Sequence, residues 1–291
     1  MLVCSSALAA AQSPRDGLVV STTWLAQHLN DRNLVVLHVG PEFSKGHIAG
    51  AREVDPNAIS VSDHSGKGLM LEMPTADKLH QALADLGISN DSKIVVYFSR
   101  DLFTPATRVI LTLDHAGFGK NTVLLDGGLN AWTRDGNKTS TDASPTTKGT
   151  LAALTIKPII VDAENVRRHI GKTGVSIVDG RAAAFYDGAD RGDSHGHQHK
   201  EGHIATAKSV PYTTLTDDSG RLKPADQLAA LFAKAGVAPT DTIIGYCHIG
   251  QQATGMLFAA RTLGHPVLLY DGSFEDWSAK NYPVETTKKP Q

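Results

Sequence analysis

The chain has 291 residues, 41% of them hydrophobic, and a formal net charge of −2. A chain of this length and composition can bury two cores of ordinary size. The near-zero charge offers no basic surface for nucleic acid, so no nucleic-acid partner is expected, and no apolar run is long enough to predict a membrane span.

The first residues have features of an export signal. Residues 1–11 (MLVCSSALAAA) are apolar and end in small alanines of the kind found at signal-peptidase sites. The positively charged start of a signal peptide is missing, so we interpret residues 1–16 as a truncated one. We therefore expect a periplasmic or secreted protein rather than a cytoplasmic one. Cleavage would remove Cys4 and leave Cys247 as the one thiol of the mature chain.

In residues 17–136, short β-branched runs alternate with amphipathic stretches. The runs predict strands and the amphipathic stretches predict helices. The expected strands are 34–39, 94–97 and 122–125, and the expected helices are 22–29, 75–86 and 106–115. We assign these residues to a first domain.

A second alternating region covers residues 159–284, after a linker at 137–158 that begins rich in Pro, Thr, Ser and Lys. Its expected strands are 176–179, 242–246 and 267–270, and its expected helices are 163–170, 225–236 and 251–263. Residues 285–291 are interpreted as a tail. The alternation in both regions predicts an α/β fold, with a parallel sheet in each domain and helices on both of its faces.

The two regions also repeat each other in sequence. Blocks that match in the same order indicate a tandem duplication. The pairs are VSTTWL (20–25) with VDAENV (161–166), VVLHVG (35–40) with SIVDGR (176–181), GHIAGA (46–51) with GHIATA (202–207), IVVYF (94–98) with IIGYC (243–247), and DGGLNAW (126–132) with DGSFEDW (271–277).

Cys247 ends a predicted strand at the point where a loop and then a helix follow. Unpaired N–H groups at a helix start favour an anion, and so favour a thiolate, and a protonated His248 would add to this effect. The same amides could hold the outer sulfur of a persulfide. We therefore predict a nucleophilic site at Cys247, formed with His248, Ile249, Gly250, Gln251 and Gln252. The alternative is a small buried hydrophobic residue, which is how free cysteine often behaves.

The repeated GHIxGA block, the cysteine loop and the DGSFEDW block make the chain resemble the tandem-domain rhodaneses, which are thiosulfate and 3-mercaptopyruvate sulfurtransferases. The resemblance covers about residues 17–283. It implies two rhodanese-like domains and a site in the cleft between them, with walls contributed by the first domain. It also implies a small-molecule sulfur donor and a thiol or cyanide acceptor; no cofactor is expected.

The first domain departs from this pattern because Phe98 stands where the second has Cys247. We therefore expect the first domain to be structural. Arg100 and Arg108 could reach the cleft, although solvated arginines are favoured. His47 and His203 occur in both halves and are interpreted as turn-stabilising residues. Trp132 and Trp277 are interpreted in the same way as packing residues.

In the second domain, Asp179 and Arg181 end a strand at the same edge as Cys247. Asp179 could orient His248 or the loop amides, and Arg181 could bind an anionic donor with two hydrogen bonds. A structural Asp–Arg pair is an equal alternative. The insertion at 190–201 holds His195, His197 and His199, which are weak candidates for Zn or Cu ligands, although a polar loop without metal is favoured.

Two further departures concern the donor. The loop reads CHIGQQ, where thiosulfate enzymes of the family have CRKGVT-like loops and mercaptopyruvate enzymes CGSGVT-like loops. The sequence AAAFY (182–186) replaces the segment in which the family usually has a second arginine. Its loss counts more against mercaptopyruvate, whose carboxylate must be held, than against the compact dianion thiosulfate.

Three functions from different classes follow. The first is a sulfurtransferase that moves sulfur from thiosulfate through a Cys247 persulfide, with 3-mercaptopyruvate as the alternative donor. The second is a phosphatase or arsenate reductase, which needs an arginine six residues after the cysteine; Ala253 stands there. The third is a non-catalytic sulfur carrier or interaction module. The sequence favours the sulfurtransferase.

Overall fold

Two parallel five-stranded sheets organise the chain, one in each half. The computed structural model describes residues 13–65, 68–145, 147–194 and 197–287. The first-half strands are β1 (Val19–Val20), β2 (Leu34–Val39), β3 (Arg52–Glu53), β4 (Lys93–Phe98) and β5 (Thr122–Leu125). The first-half helices are α1 (Thr22–His28), α2 (Ala76–Asp85), α3 (Phe103–His115) and α4 (Gly128–Arg134).

The second half repeats this arrangement and adds short strands. Its strands are β6 (Ile160–Val161), β7 (Val175–Asp179), β8 (Asp193–Ser194), β9 (His197–Gln198), β10 (His203–Ile204), β11 (Lys208–Ser209), β12 (Thr242–Tyr246), β13 (Val267–Tyr270) and β14 (Val284–Glu285). Its helices are α5 (Ala163–His169), α6 (Ala183–Asp187), α7 (Ala225–Lys234), α8 (Gln252–Thr262) and α9 (Ser273–Ala279). Single 3-10 turns cover Pro14–Gly17, Phe43–Lys45, Pro56–Ala58 and Tyr212–Thr214.

The strand order is the same in both sheets. It is β1-β5-β4-β2-β3 in the first and β6-β13-β12-β7-β11 in the second, and every pairing within them is parallel. The predicted α/β fold with two parallel sheets is therefore confirmed. The shared order also supports the duplication that the sequence blocks indicated.

The central strands β4 and β12 carry the segments that lead to the two corresponding loops. Every residue of β4 after Lys93 is buried, as is every residue of β12 after Thr242. Such continuous apolar runs are expected where helices cover both faces of a parallel sheet. The carboxyl ends of these strands, at Phe98 and Tyr246, therefore open onto the same kind of sheet edge, where ligand sites of open α/β sheets form.

The predicted helices and strands match the structure to within three residues at each end, and α8 begins at Gln252 rather than at residue 251. The sequence did not reveal the short edge strands or the hairpin of β8 and β9. Glu285, assigned to the tail, pairs with His203 in an antiparallel ladder. Of the predicted leader, residues 1–12 lie outside the described part of the chain.

The domains meet through α3 and α8, the helices that follow the two loops. The hydroxyl groups of Thr107 and Thr254 lie 2.9 Å apart, and the Phe103 and Phe258 rings meet edge to face. Both loops therefore lie near the domain interface. Among the described residues, no helix is both long enough and apolar enough to cross a membrane.

Candidate active site

Cys247 follows β12 directly and is fully buried. Its backbone N–H donates to Ser273 Oγ at 3.2 Å, and its carbonyl accepts from the Phe274 N–H at 3.0 Å. The start of α9 therefore fixes the backbone on both sides of the sulfur-bearing carbon. This position at the end of a central strand is the one that the sequence predicted.

The backbone amides after Cys247 have no hydrogen-bond acceptor among the residues that the structure describes. From His248 to Gln252, no N–H group donates a hydrogen bond to the part of the chain that the structure describes. The last of these residues begins α8, whose first turn carries partial positive charge. A row of unpaired N–H groups beside a thiol can receive negative charge on sulfur or oxygen.

Gly250 gives this loop its turn. Its φ is +76°, a value that a residue with a side chain rarely adopts, and a Cβ placed there would lie 2.6 Å from the Asp271 carbonyl. Glycine is therefore required for both backbone conformation and space. We call residues 247–252 the cysteine loop.

A cavity of about 220 Å³ lies over the cysteine loop. Among the described residues that line it, none carries a cationic side chain. The lining residues are Phe185, Gly192, Cys247, His248, Ile249, Gln251 and Gln252. Phe185, predicted to stand in place of a donor-binding arginine, thus lies beside Cys247 in the structure.

The first domain contributes to a neighbouring cavity rather than to this one. A space of about 630 Å³ shares Gln251 with the cysteine cavity and is otherwise lined by first-domain residues, including Val39, Ile59 and Val109. The two cavities adjoin at Gln251, so the expectation that the first domain forms walls of the cleft stays a prediction.

Asp179 and Arg181 form a fully buried salt bridge. The Arg181 side chain bonds the Asp179 carboxylate through Nε and Nη2, at 2.6–3.0 Å, and Nη2 also bonds the Gly202 carbonyl. Arg181 is fully buried and does not line the cysteine cavity. The Arg181 Nη1 is buried without a partner among the described residues, so the pair does not satisfy every donor of the guanidinium. The geometry favours the structural Asp–Arg pair, while donor binding by Arg181 and an orienting role of Asp179 stay predictions.

Arg181 nevertheless carries charge close to the thiol. Burial lowers its pKa, but the Asp179 charge and hydrogen bonds outweigh this effect, and Cys247 acts in the same direction, so that the pKa of Arg181 lies above its usual value. The buried guanidinium thus attracts negative charge at Cys247.

His248 is uncharged at neutral pH, contrary to the prediction. Burial, then the nearby charges of Arg181 and His199, lower the pKa of His248 to about 3. Its Nδ1 lies 3.1 Å from the Nδ1 of His199, and its ring meets the edge of Phe185. His248 therefore shapes the cavity as a neutral ring and adds no positive charge beside the thiol.

The inserted histidines do not form a metal cluster within the described residues. His199 is buried against His248 and Phe274, whereas His195 lies outside the described residues. Nothing is described of the His197 side chain. The favoured interpretation of this insertion as a loop without metal stays a prediction.

The histidines and tryptophans that occur in both repeats are buried. His47 and His203 bond the carbonyls of Phe43 and Tyr186, which fits their predicted turn-stabilising role, and Trp132 and Trp277 pack in the two cores.

Arg100 is an exposed arginine paired with Glu42. Arg108 was wrongly expected to be solvated: it is 5% exposed, and it bonds the Gly250 carbonyl of the cysteine loop.

Comparison with known proteins places this geometry in a family. The family model described as "Rhodanese-like domain" matches residues 21–135 and 162–280. The chain belongs to the rhodanese-like family. Its two matched segments are the two repeats found in the sequence, so the predicted tandem rhodanese architecture is confirmed.

Several relatives that match nearly the whole chain are sulfurtransferases. A 3-mercaptopyruvate sulfurtransferase of Escherichia coli (strain K12) is 31% identical over 283 residues, which cover 92% of this chain and 98% of the relative. A putative thiosulfate sulfurtransferase of Synechococcus elongatus is 27% identical, over 92% of this chain and 84% of its own. The crystal structure of SseA from Escherichia coli, a 3-mercaptopyruvate sulfotransferase by its description, superposes with a TM-score of 0.74 at 29% identity and covers 88% of this chain and 98% of its own. The predicted sulfurtransferase function is therefore confirmed, and the donor is a separate question.

One residue of this rhodanese site was missed from the sequence. Ser273 adopts a φ of +50°, its Oγ accepts the Cys247 N–H, and its hydroxyl donates to the Tyr270 carbonyl. Its counterpart in the first domain is Gly128, which has a φ of +56°. A serine where the repeat has glycine was the signal, since serine at a positive φ is costly unless its side chain is needed.

Proposed function

We propose that the chain is a thiosulfate sulfurtransferase in which Cys247 carries the transferred sulfur as a persulfide. The observation that carries this proposal is the row of N–H groups from His248 to Gln252 that have no acceptor among the described residues, beside Cys247 at a strand end. These donors can receive the negative charge of a persulfide without any movement of charged side chains.

The proposed reaction has two balanced steps. The Cys247 thiolate attacks the outer sulfur of thiosulfate, a sulfur–sulfur bond forms on the protein, the sulfur–sulfur bond of the donor breaks, and sulfite leaves with the electron pair. Cyanide or a thiolate then attacks the outer sulfur of the persulfide. Thiocyanate or a new persulfide leaves, and the Cys247 thiolate returns.

The lining of the cysteine cavity supports thiosulfate over 3-mercaptopyruvate. Phe185 and neutral His248 offer no cation for a carboxylate, and Arg181 is fully buried and does not line this cavity. Thiosulfate is compact, so that the loop amides and the start of α8 can reach its sulfonate oxygens. 3-Mercaptopyruvate is larger, and the site must also hold its carboxylate at a distance from the transferred sulfur.

Two alternatives stay open. 3-Mercaptopyruvate as donor is favoured by the 31% identity to the Escherichia coli enzyme, and it would require backbone amides alone to hold the carboxylate. A sulfur carrier without turnover is favoured by the missing donor-binding arginine at the Phe185 segment.

One experiment separates these functions. The purified protein is supplied with thiosulfate or 3-mercaptopyruvate, its intact mass is recorded, and cyanide is then added while thiocyanate is measured over many turnovers. We expect the mass of one extra sulfur after thiosulfate and repeated thiocyanate production, with a higher kcat/KM for thiosulfate. One loading without turnover would identify a carrier, and a higher kcat/KM for mercaptopyruvate would overturn the donor assignment.

A further inference from the structure

A first-domain arginine reaches across the domain interface to the cysteine loop. Arg108 lies in α3 and is 5% exposed. Its Nη1 donates to the Gly250 carbonyl at 2.9 Å and to Asp271 Oδ1 at 2.6 Å. A guanidinium presents several donors in one plane, so that one side chain can hold two acceptors from different segments in fixed relative positions.

Arg108 also holds a third segment. Its Nη2 donates to the carbonyl of Leu71, which has a φ of +57°. A bulky residue keeps such a backbone conformation only where its surroundings fix it. The guanidinium therefore ties the cysteine loop and the end of β13 to a strained turn of the first domain.

The Gly250 contact determines which way a neighbouring amide points. In a trans peptide the carbonyl and the next N–H lie on opposite sides, so a Gly250 carbonyl directed at Arg108 turns the Gln251 N–H away from Arg108. Gln251 lines the cysteine cavity, and its N–H has no acceptor in the described residues. Glycine rotates easily, so this peptide needs an external partner to keep one orientation.

A second arginine that joins the two domains offers a comparison. Arg15 donates to the carbonyls of Lys223 and Leu222 and pairs with Asp126, the residue that corresponds to Asp271 in the repeat. Arg15 therefore joins the domains much as Arg108 does. Among the described contacts, Arg108 reaches the cysteine loop through Gly250, whereas Arg15 contacts no residue of the corresponding first-domain loop after Phe98.

We propose that Arg108 is a positioning residue for sulfur transfer, which fixes the Gly250–Gln251 peptide so that the Gln251 N–H faces the Cys247 sulfur. This role rests on the proposed persulfide chemistry of Cys247. Arg108 touches neither donor nor acceptor. Its effect should therefore fall on the rate of the chemical step at saturation rather than on the donor concentration that half-saturates the protein.

The test uses the full 291-residue chain, which retains Arg15, and compares Arg108→Lys with the control Arg15→Lys. Lysine keeps the positive charge but lacks the planar fork, so the charge balance of each ion pair is retained. We expect Arg108→Lys to slow single-turnover sulfur loading from thiosulfate roughly tenfold or more, as misplaced catalytic groups do. The thiosulfate concentration that half-saturates loading should change little in Arg108→Lys. The Arg15→Lys variant should load sulfur at close to the rate of the unmodified protein. Thermal melting verifies that both variants are folded.

A second readout needs no donor. Alkylation of Cys247 by iodoacetamide should become faster in Arg108→Lys, because the loop over a buried thiol is held less firmly, and should not change in Arg15→Lys. Opposite changes in loading and alkylation are not expected from a merely structural arginine. Equal effects of the two substitutions, or an alkylation rate that Arg108→Lys leaves unchanged, would overturn the positioning role. If the unmodified protein takes up no sulfur, the proposed function fails, and the alkylation rates still decide the role of Arg108.

Discussion

The two halves of the molecule build the same loop and use it differently. In the first domain, β4 ends at Phe98 and α3 begins at Phe103; in the second, Cys247 follows β12 and α8 begins at Gln252. Phe98 is 2% exposed and meets the ring of Phe103 edge to face, so that this side chain fills the space with apolar contacts. The fold therefore needs only a side chain that packs at this position.

The cysteine loop of the second domain has features that packing alone does not require. The cysteine loop adds a thiol, a Gly250 turn and a serine at the Gly128 position whose Oγ accepts the Cys247 N–H. It also receives the Arg108 guanidinium from the other domain. The duplicated first domain has thus kept its packing role and, through α3, supports the loop of its partner domain.

The largest effect should come from exchanging the sulfur. Cys247→Ser keeps a similar size but cannot form a persulfide, so we expect sulfur transfer from thiosulfate to cyanide to be abolished while the melting temperature stays near that of the unmodified protein. Thiocyanate formation and thermal melting measure the two outcomes. A folded serine variant that still produces thiocyanate would refute the mechanism.

The corresponding change in the first domain should show the opposite pattern. Phe98→Ala removes a buried ring and should lower the free energy of unfolding by about 3–5 kcal/mol. Sulfur transfer per folded molecule should change little. Urea unfolding and steady-state kinetics at low temperature check this pair of results, and a selective loss of turnover without loss of stability would show that the first loop takes part in the chemistry.

Donor preference is the next effect in size. Phe185→Arg places a cation at the rim of the cysteine cavity, and one charge-assisted hydrogen bond contributes about 1.5–3 kcal/mol, which corresponds to roughly tenfold or more in specificity. We expect kcat/KM for 3-mercaptopyruvate to rise relative to that for thiosulfate. The control is Phe185→Leu, which removes the ring without adding charge. Equal donor ratios in both variants would mean that the carboxylate is not held at this position.

The smallest effect concerns a carboxyl group on the Arg108 side of the interface. Burial first, and the Asp271 charge second, raise the pKa of Glu72 to about 7. The unfolded chain ionises at a lower pH, so the stability from the neutral carboxyl is fully present below the unfolded pKa and is lost as the pH rises through 7.

Glu72→Gln should therefore stabilise the protein at pH 8 and have little effect at pH 4. One unit of pKa shift corresponds to about 1.4 kcal/mol, and partial exposure of Glu72 reduces the expected gain at alkaline pH to about 1–2 kcal/mol. Urea unfolding of both proteins at the two pH values measures it. A stability difference that does not depend on pH would show that folding does not raise the pKa of Glu72.

Local patterns were enough to predict the two sheets and the site's position. Alternating apolar runs predicted the strands that lead to Phe98 and Cys247, and the family resemblance singled out the segment of Phe185 as the place of a missing donor-binding arginine. The prediction of a protonated His248 was wrong because the side chain is buried against Phe185 and His199, and this burial depends on how the insertion folds. The prediction that Arg108 is solvated was wrong because its acceptor, Gly250, is 142 residues away in sequence. No local pattern reveals such a partner.

The central claim is that the second loop alone carries the sulfur. Peptide mass mapping of thiosulfate-treated protein, cleaved without reductant, locates the added atom directly. The account predicts one extra sulfur on the peptide that contains Cys247, removed by cyanide, and none on any other peptide. Extra sulfur on a peptide without Cys247, or none after thiosulfate in a folded protein, would contradict it.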